Sequence, residues 1–349
     1  MIFMKSVGFT ILFFLLVKDT RGQQDTASKE KGVSIAGMPI LNYNGSYGVV
    51  VGLNTMAFFN INKKDTISPP SQLGLGGGFS ENKSWYASLF GQFYFKEDKW
   101  RITTALGFGK INFQYFESFN ESDEGDFVDY NSVNRFAMFR VLRKIKGPFY
   151  VGPILKFQHS KTDFEAYPDS TQEIDADGIG GSLLFDTRDY IYHPSHGWFA
   201  TASFLANPAW MGSDSVFNSL RFFANYYFRI NSNSILASRL SLFTGLGDVP
   251  FSAQRAVGGK DIRGYTNGKY RGNQVYTLQT EYRWNFYKRW GAVGFVGMAF
   301  TGHPSSGTLP GGGIGVRFMA IRSMKINIGI DGALGKDDAG VYFRINEAF

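Results

Sequence analysis

From residue 33 onward, apolar and polar residues alternate with a period of two, the mark of strands with one apolar and one polar face. Between 219 and 230, Leu220, Phe222, Ala224, Tyr226, Phe228 and Ile230 alternate with Ser219, Arg221, Asn225 and Arg229, with Phe223 and Tyr227 breaking the polar series. Between 276 and 286, Tyr276, Leu278, Tyr282, Trp284 and Phe286 face one way, and Thr277, Gln279, Glu281, Arg283 and Asn285 the other. Ile326, Ile328 and Ile330 oppose Lys325, Asn327 and Asp331 in the same manner. Several runs are about ten residues or longer, whereas strands of soluble sandwiches have about five or six. Long strands with aromatic ends fit a wall that is apolar toward lipid and polar toward an interior.

The pattern predicts sixteen strands, near 33–43, 47–60, 71–79, 83–97, 99–117, 130–144, 148–162 and 176–187, then 196–207, 215–230, 233–247, 272–286, 290–301, 308–320, 323–333 and 339–348. An even number lets a single-chain barrel close with both termini on one side, and closure is required because lipid leaves no water to satisfy an open edge. The expected fold is therefore all-β, a 16-stranded antiparallel transmembrane β-barrel. With the N-terminus periplasmic, Lys96-Glu-Asp-Lys99, Arg143-Lys-Ile-Lys146, Asn231-Ser-Asn233, Lys288-Arg289 and Ile321-Arg322 become short periplasmic turns. The long external connections then fall near 118–129, 163–177, 208–214 and 248–271. Two of these are acidic, one with Glu117, Glu121, Asp123, Glu124, Asp126 and Asp129, the next with Asp163, Glu165, Asp169, Glu173, Asp175 and Asp177. A divalent cation could use such carboxylates, but their spacing matches no EF-hand and solvated loops are the expectation.

Composition narrows the function. The chain of 349 residues has no cysteine, which excludes a disulfide framework, a thiolate metal site and thiol catalysis. The net charge of +7, with charged residues at 19%, is not that of a nucleic-acid-binding arm. Lys5, the apolar run Val7 to Val17 and the small residues Thr20 and Gly22 before Gln23 read as a signal peptide over 1–22; the run is too short for a spanning helix. Residues 23–32 read as a flexible lead-in and 33–349 as the barrel domain, exported to the bacterial outer membrane. No Gly-x-Ser-x-Gly elbow, phosphate loop or His-Glu-x-x-His occurs, and His193-x-x-His196 lacks a third ligand, so no enzyme, cofactor or metal is expected.

The longest external connection carries Val257-Gly-Gly-Lys-Asp-Ile-Arg-Gly-Tyr265 and then Asn267-Gly-Lys-Tyr-Arg-Gly-Asn273. This resembles the arginine-glycine-aromatic loop of the BamA/TamA/FhaC superfamily of outer-membrane assembly and translocation barrels, the bacterial surface antigen family. Asp186-Thr-Arg-Asp-Tyr-Ile-Tyr-His-Pro-Ser-His-Gly197 is similar to the family's Asp-x-Arg…Pro-x-x-Gly strand-and-turn element, with Asp186, Arg188, Pro194 and Gly197 in its positions. Pro39-Ile-Leu-Asn-Tyr43 with Gly48-Val-Val-Val-Gly52 resembles its opening strands, and Ile330-Asp-Gly-Ala-Leu-Gly-Lys336 through Phe349 its last hairpin.

The resemblance implies that the sixth external loop folds back into the lumen, where Arg263, flanked by Gly264 and Tyr265, pairs with acids of the inner wall. Alternation places Glu281 and Asp331 on that inward side, and a buried arginine needs such partners. Phe295-Val-Gly297 departs from the Phe-x-Asp of many relatives, which leaves the pairing to Asp331. Phe343 and the terminal Phe349 resemble the signal read by the barrel-assembly machinery; they also fit a last lipid-facing strand. Only 23–32 separate the cleavage site from the first strand, so none of the family's periplasmic domains is expected before the barrel. The implied function is insertion or translocation of outer-membrane or surface proteins. The rivals are a lipid-handling, scramblase-like barrel and a passive pore or structural subunit of an envelope complex. The implied partners are outer-membrane lipids, the barrel-assembly machinery, a client outer-membrane protein and a separate periplasmic protein, with no nucleic acid.

Overall fold

The computed structural model describes residues 33–44, 48–117, 126–266, 268–302, 307–322, 325–345 and 347–349. The expected signal peptide, the lead-in and the acidic stretch 118–125 lie outside them. The first strands are β1 (Ser34–Asn44), β2 (Gly48–Phe59), β3 (Ser71–Ser80), β4 (Trp85–Phe95), β5 (Trp100–Glu117), β6 (Asp126–Lys146) and β7 (Phe149–Phe164). They are followed by β8 (Tyr167–Asp175), β9 (Gly178–Asp186), β10 (Gly197–Asn207), β11 (Phe217–Asn231) and β12 (Ser234–Gly247). Two short strands, β13 (Arg255–Ala256) and β14 (Arg271–Gly272), precede β15 (Gln274–Tyr287), β16 (Trp290–Thr301), β17 (Thr308–Ile321), β18 (Ile326–Gly335) and β19 (Asp338–Ile345).

Seventeen of these form one antiparallel sheet, and β13 and β14 pair with each other. The sheet is an ordered meander in which each strand lies beside its predecessor, with one branch. The outer end of β7 pairs with β8, from His159 with Asp175 upward, and the rest of β7 pairs with β9 from Lys156 with Gly178 to Phe149 with Phe185. Strand β8 corrects the expectation that 163–177 is an acidic loop. Its carboxylates Asp169 and Glu173 are exposed, as suits a hairpin that continues the sheet into water, where no apolar face is needed. At the other end, β1 pairs with β2 over its whole length and, among the described residues, meets β19 through one residue pair, Tyr43 with Val341.

Burial runs opposite to that of a soluble sheet. On β15, Leu278 (50%), Tyr282 (43%), Trp284 (50%) and Phe286 (47%) are exposed, while Thr277, Gln279, Glu281 and Arg283 are buried. On β18 the exposed Ile330 and Leu334 alternate with the buried Asn327 and Asp331. An apolar exposed face is expensive in water and favourable against lipid, so the alternation identifies the lipid-facing side.

The segment between β12 and β15 fills part of the interior. Val257, Ile262, Tyr265 and Tyr270 pack on Val275, Ala299 and Leu309 of the adjacent strands. At its start, Phe251 reaches the opposite wall, with its ring 4.9 Å from Tyr115, 5.0 Å from Tyr130 and 5.0 Å from Phe164. Arg271 lies 3.9 Å above the Phe251 ring and donates to its carbonyl at 3.0 Å. The segment is thus held at both walls.

Candidate functional site

Arg263 is fully buried at the centre of this segment. Its placement depends on Gly264, whose φ of 104° is in the left-handed region and whose Cβ, if present, would sit 2.4 Å from the carbonyl oxygen of Leu334. Only glycine allows that approach. The backbone is then fixed from both sides. Gly264 N–H donates to the Tyr342 hydroxyl at 3.0 Å, Tyr265 donates its hydroxyl to Pro310 O at 2.5 Å, and Thr266 N–H donates to Asp338 at 2.8 Å.

The guanidinium lies 2.5 Å from Glu281 Oε2 and 2.8 Å from Asp331 Oδ2, both carboxylates being fully buried. Arg263 also donates its backbone N–H and Nε to Gln279 Oε1, each at 3.2 Å, and its plane sits 3.3 Å from the Phe295 ring centroid. Arg263, Gly264, Tyr265, Glu281 and Asp331 therefore form one cluster. Phe295 itself supplies a π face below the cation, an attraction worth about 2 kcal/mol when desolvated.

Alternation places further members of this cluster on the inward side, yet the sequence does not show which of them meet. Arg283 Nε contacts Glu281 at 2.7 Å, Arg317 Nη1 contacts Asp331 at 2.5 Å, and Arg344 Nε contacts Asp331 at 2.7 Å. Glu347 lies beyond the last strand and accepts from Arg317 Nε at 2.9 Å and Asn327 Nδ2 at 2.7 Å. The chain end follows it inward. Arg283 Nη2 donates to Phe349 O at 2.8 Å and its guanidinium stands 5.6 Å from the Phe349 ring centroid. This corrects the expected lipid-facing strand over 339–348. Phe343, opposite the exposed Ile330, keeps the outward position, but the sheet ends at Ile345 and Phe349 turns to the charged interior. The physical cause is Glu347, whose carboxylate cannot remain in lipid and finds two guanidinium groups inside.

The second sequence element forms its own cluster. Arg188 donates to Asp186 through Nε at 2.8 Å and Nη2 at 2.9 Å, and Arg101 Nη1 donates to the same carboxylate at 2.6 Å. Arg101 also bonds Asp98, which accepts the Tyr150 hydroxyl at 2.6 Å. The Arg188 guanidinium lies 3.9 Å from the Phe199 ring centroid. Pro194 and Gly197 close the turn; Gly197 has φ 104°, and a Cβ there would sit 2.3 Å from Thr187 O. Within the turn, burial alone would raise the Asp189 pKa, but hydrogen bonds from Ser195, His196 and Tyr190 outweigh it and hold the carboxyl below its ordinary value. The turn also reaches across the interior. Tyr192 donates to Pro70 O at 2.8 Å, and the His193 ring nitrogen lies 3.4 Å from Asn327 Nδ2.

Among the described residues, no group of three or more His, Asp or Glu is placed to hold a metal. Of the acidic external residues, Glu173 pairs with Lys161 at 3.4 Å, Asp175 with His159 at 2.8 Å, and Asp177 accepts from Gln158 N–H at 3.1 Å. Glu173, Asp175 and Asp177 are thus each engaged by a neighbouring group. Charged clusters such as these brace a fold and fix a loop.

Comparison with known proteins agrees with this architecture. No curated protein matches the sequence. Among solved structures, BamA from Haemophilus ducreyi lacking POTRA domains 1–3 is similar at 14% identity and a TM-score of 0.56, covering 90% of this chain and 69% of that one. CdiB from Acinetobacter baumannii and CdiB from Escherichia coli are each similar at 14% identity and a TM-score of 0.60. This chain spans 60% and 63% of their lengths. At such identities the likeness is one of fold. The model of the Omp85 superfamily domain matches residues 69–308, more than half the chain, and so the protein belongs to the Omp85 superfamily.

Proposed function

We propose that this chain is a closed sixteen-stranded barrel of the bacterial outer membrane that assists insertion or translocation of outer-membrane or surface proteins through the junction of its first and last strands. Counting β8 and β9 as one interrupted strand gives sixteen staves, with the segment 248–273 as the sixth external loop folded inside. The observation that carries the reading is the junction itself. Among the described residues, one residue pair joins β1 to β19, whereas β1 and β2 are paired from Ser34 with Phe58 to Asn44 with Gly48. A junction with few ladder hydrogen bonds is the place where a barrel opens at least cost, and an open strand edge is a template for another chain's strand. The Arg263 cluster keeps the rest of the wall rigid while that edge parts. Outer-membrane lipids surround the exposed apolar face, and a separate periplasmic protein delivers the client.

The chain lacks cysteine, so a cross-link at the junction is clean. Directly opposed antiparallel residues have Cα atoms about 4.5–5.5 Å apart, within disulfide range. In cells whose only copy carries Tyr43→Cys and Val341→Cys, oxidation should deplete a subset of proteins from the outer-membrane proteome, and a reductant should restore them. An oxidised, fully cross-linked barrel that leaves that proteome unchanged would overturn the proposal.

A further inference from the structure

Rows of side chains can be followed across the lipid-facing side of β4 to β7, because opposed residues point to the same side. Nearest the basic turns, Phe95, Trp100, Arg143 and Val151 form one row. The next rows hold Phe93, Ile102 and Val141, then Thr104, Phe139 and Leu155, then Leu89, Leu106, Ala137 and Phe157. Beyond them come Phe108, Arg135 and His159, and then Trp85, Lys110, Val133 and Lys161. Asn112, Asn131 and Asp163 follow. From Trp100 to Lys110 the strand covers about 33 Å, or roughly 25 Å of height at a 40° tilt, which matches the apolar band of an outer-membrane barrel. Lys110 and Arg135 therefore stand at the boundary between hydrocarbon and head groups, on the rim opposite the basic turns.

These two cations differ from their neighbours. Lys161 is paired with Glu173 at 3.4 Å and His159 with Asp175 at 2.8 Å. Lys110 and Arg135 form no ion pair among the described residues, and Arg135 is exposed. They are diagonal neighbours, about 7 Å apart at Cβ, close enough for both to reach one tetrahedral anion. Trp85 and Phe108 meet edge to face beside them at 5.6 Å, and the apolar rows below offer a surface for acyl chains.

We infer that Lys110 and Arg135, with the Trp85 and Phe108 rings, form a binding site for a lipid with a phosphate-bearing head group in the external leaflet. The proposal rests on the outer-membrane reading above for its orientation. The cations hold the phosphate, the rings lie against the glycerol or sugar, and the row of Leu106, Ala137 and Phe157 takes the chains. An anionic head group is the occupant favoured by charge, since two cations with no ion pair among the described residues stand side by side at head-group level, above an apolar surface.

The test is lipid retention by the folded full-length chain in detergent, counted by native mass spectrometry with bis-phosphorylated lipid A and its dephosphorylated form as probes. The wild type should retain the phosphorylated lipid, and Lys110→Gln with Arg135→Gln should weaken retention about 30-fold, at roughly fivefold per cation. The charge-conserving Lys110→Arg with Arg135→Lys should keep most of it, and Lys288→Gln with Arg289→Gln on the opposite rim should change nothing. Equal retention of the two lipid forms, or an unaffected Lys110→Gln/Arg135→Gln barrel, would overturn the site. Because the readout needs no client, a failure of the junction experiment would leave this result standing.

Discussion

Replacing Arg263 by alanine tests the interior cluster most directly, and its magnitude follows from counting charges. Four guanidinium groups, of Arg263, Arg283, Arg317 and Arg344, face three carboxylates, of Glu281, Asp331 and Glu347. Without Arg263, three of each remain, and every carboxylate keeps a partner within 2.9 Å. Breaking a buried pair costs about 3–5 kcal/mol when it strands an uncompensated charge. Here none is stranded, so the loss is that of two short charged contacts, a hydrogen bond to Gln279 and the stack on Phe295, about 2–4 kcal/mol in all. Arg263→Lys should retain one carboxylate and lose the fork, at about 1–2 kcal/mol. By contrast, Arg263→Glu places four carboxylates against three guanidinium groups and should exceed both. The assay is equilibrium urea unfolding of the refolded barrel, followed by tryptophan fluorescence and by heat-modifiable migration. An Arg263→Ala barrel within 0.5 kcal/mol of wild type (about the spread of an ordinary surface substitution), or Arg263→Glu no worse than Arg263→Ala, would refute the reasoning.

Three further outcomes can be checked. Gly264→Ala forces a Cβ to within 2.4 Å of Leu334 O at a φ of 104°, so it should cost at least about 2 kcal/mol and expose 248–273 to protease; wild-type resistance would contradict it. Phe251→Ala removes the half-buried ring set between Tyr115, Tyr130 and Phe164, with a loss of about 2 kcal/mol; steady conductance in planar bilayers should rise above that of the wild type, and an unchanged conductance would show that the ring does not obstruct the interior. Asp65 accepts from the backbone N–H groups of Ser68 (2.9 Å), Ile67 (3.0 Å) and Glu97 (2.9 Å), and the Ser68 amide leads the groups that hold its carboxyl well below the usual range. A depressed folded-state pKa means that this contribution is complete above the unfolded value near 3.9 and is lost as pH falls through the folded one. Amide protection at Ile67, Ser68 and Glu97 should decline on acidification, and Asp65→Asn should remove that pH dependence; protection that is flat with pH in the wild type would be the contrary result.

The strands were legible because lipid imposes alternation on every one that crosses it, so Glu281, Arg283 and Asp331 could be placed on the inward side before any geometry was known. Strand β8 was not legible. It stands beyond the bilayer, where nothing requires an apolar face, and its carboxylates read as loop. The direction of the chain end was hidden for a different reason. Val341, Phe343 and Ile345 continue the alternation, and only Glu347 breaks it, while its partners Arg317 and Asn327 lie 30 and 20 residues away. Likewise Arg101 and Asp186 are 85 residues apart and meet because of the interior, not because of any local spacing. Sequence periodicity assigns a side of the wall; which charges meet on that side is decided by curvature and by what crosses the middle.

The inward chain end also bears on the order in which the barrel is completed. Glu347, Ala348 and Phe349 follow the last strand, and the groups that receive them come from distant places: Arg283 on β15, Arg317 on β17 and Asn327 on β18, with His193 from the turn before β10 beside them. That turn reaches β18 only once the sheet has curled far enough for its two halves to face each other. The socket therefore does not exist in a half-built sheet, and occupying it is a late event that registers whether remote strands have come together. A sheet arrested early would leave these three residues without their partners; one that has curled withdraws them into the interior.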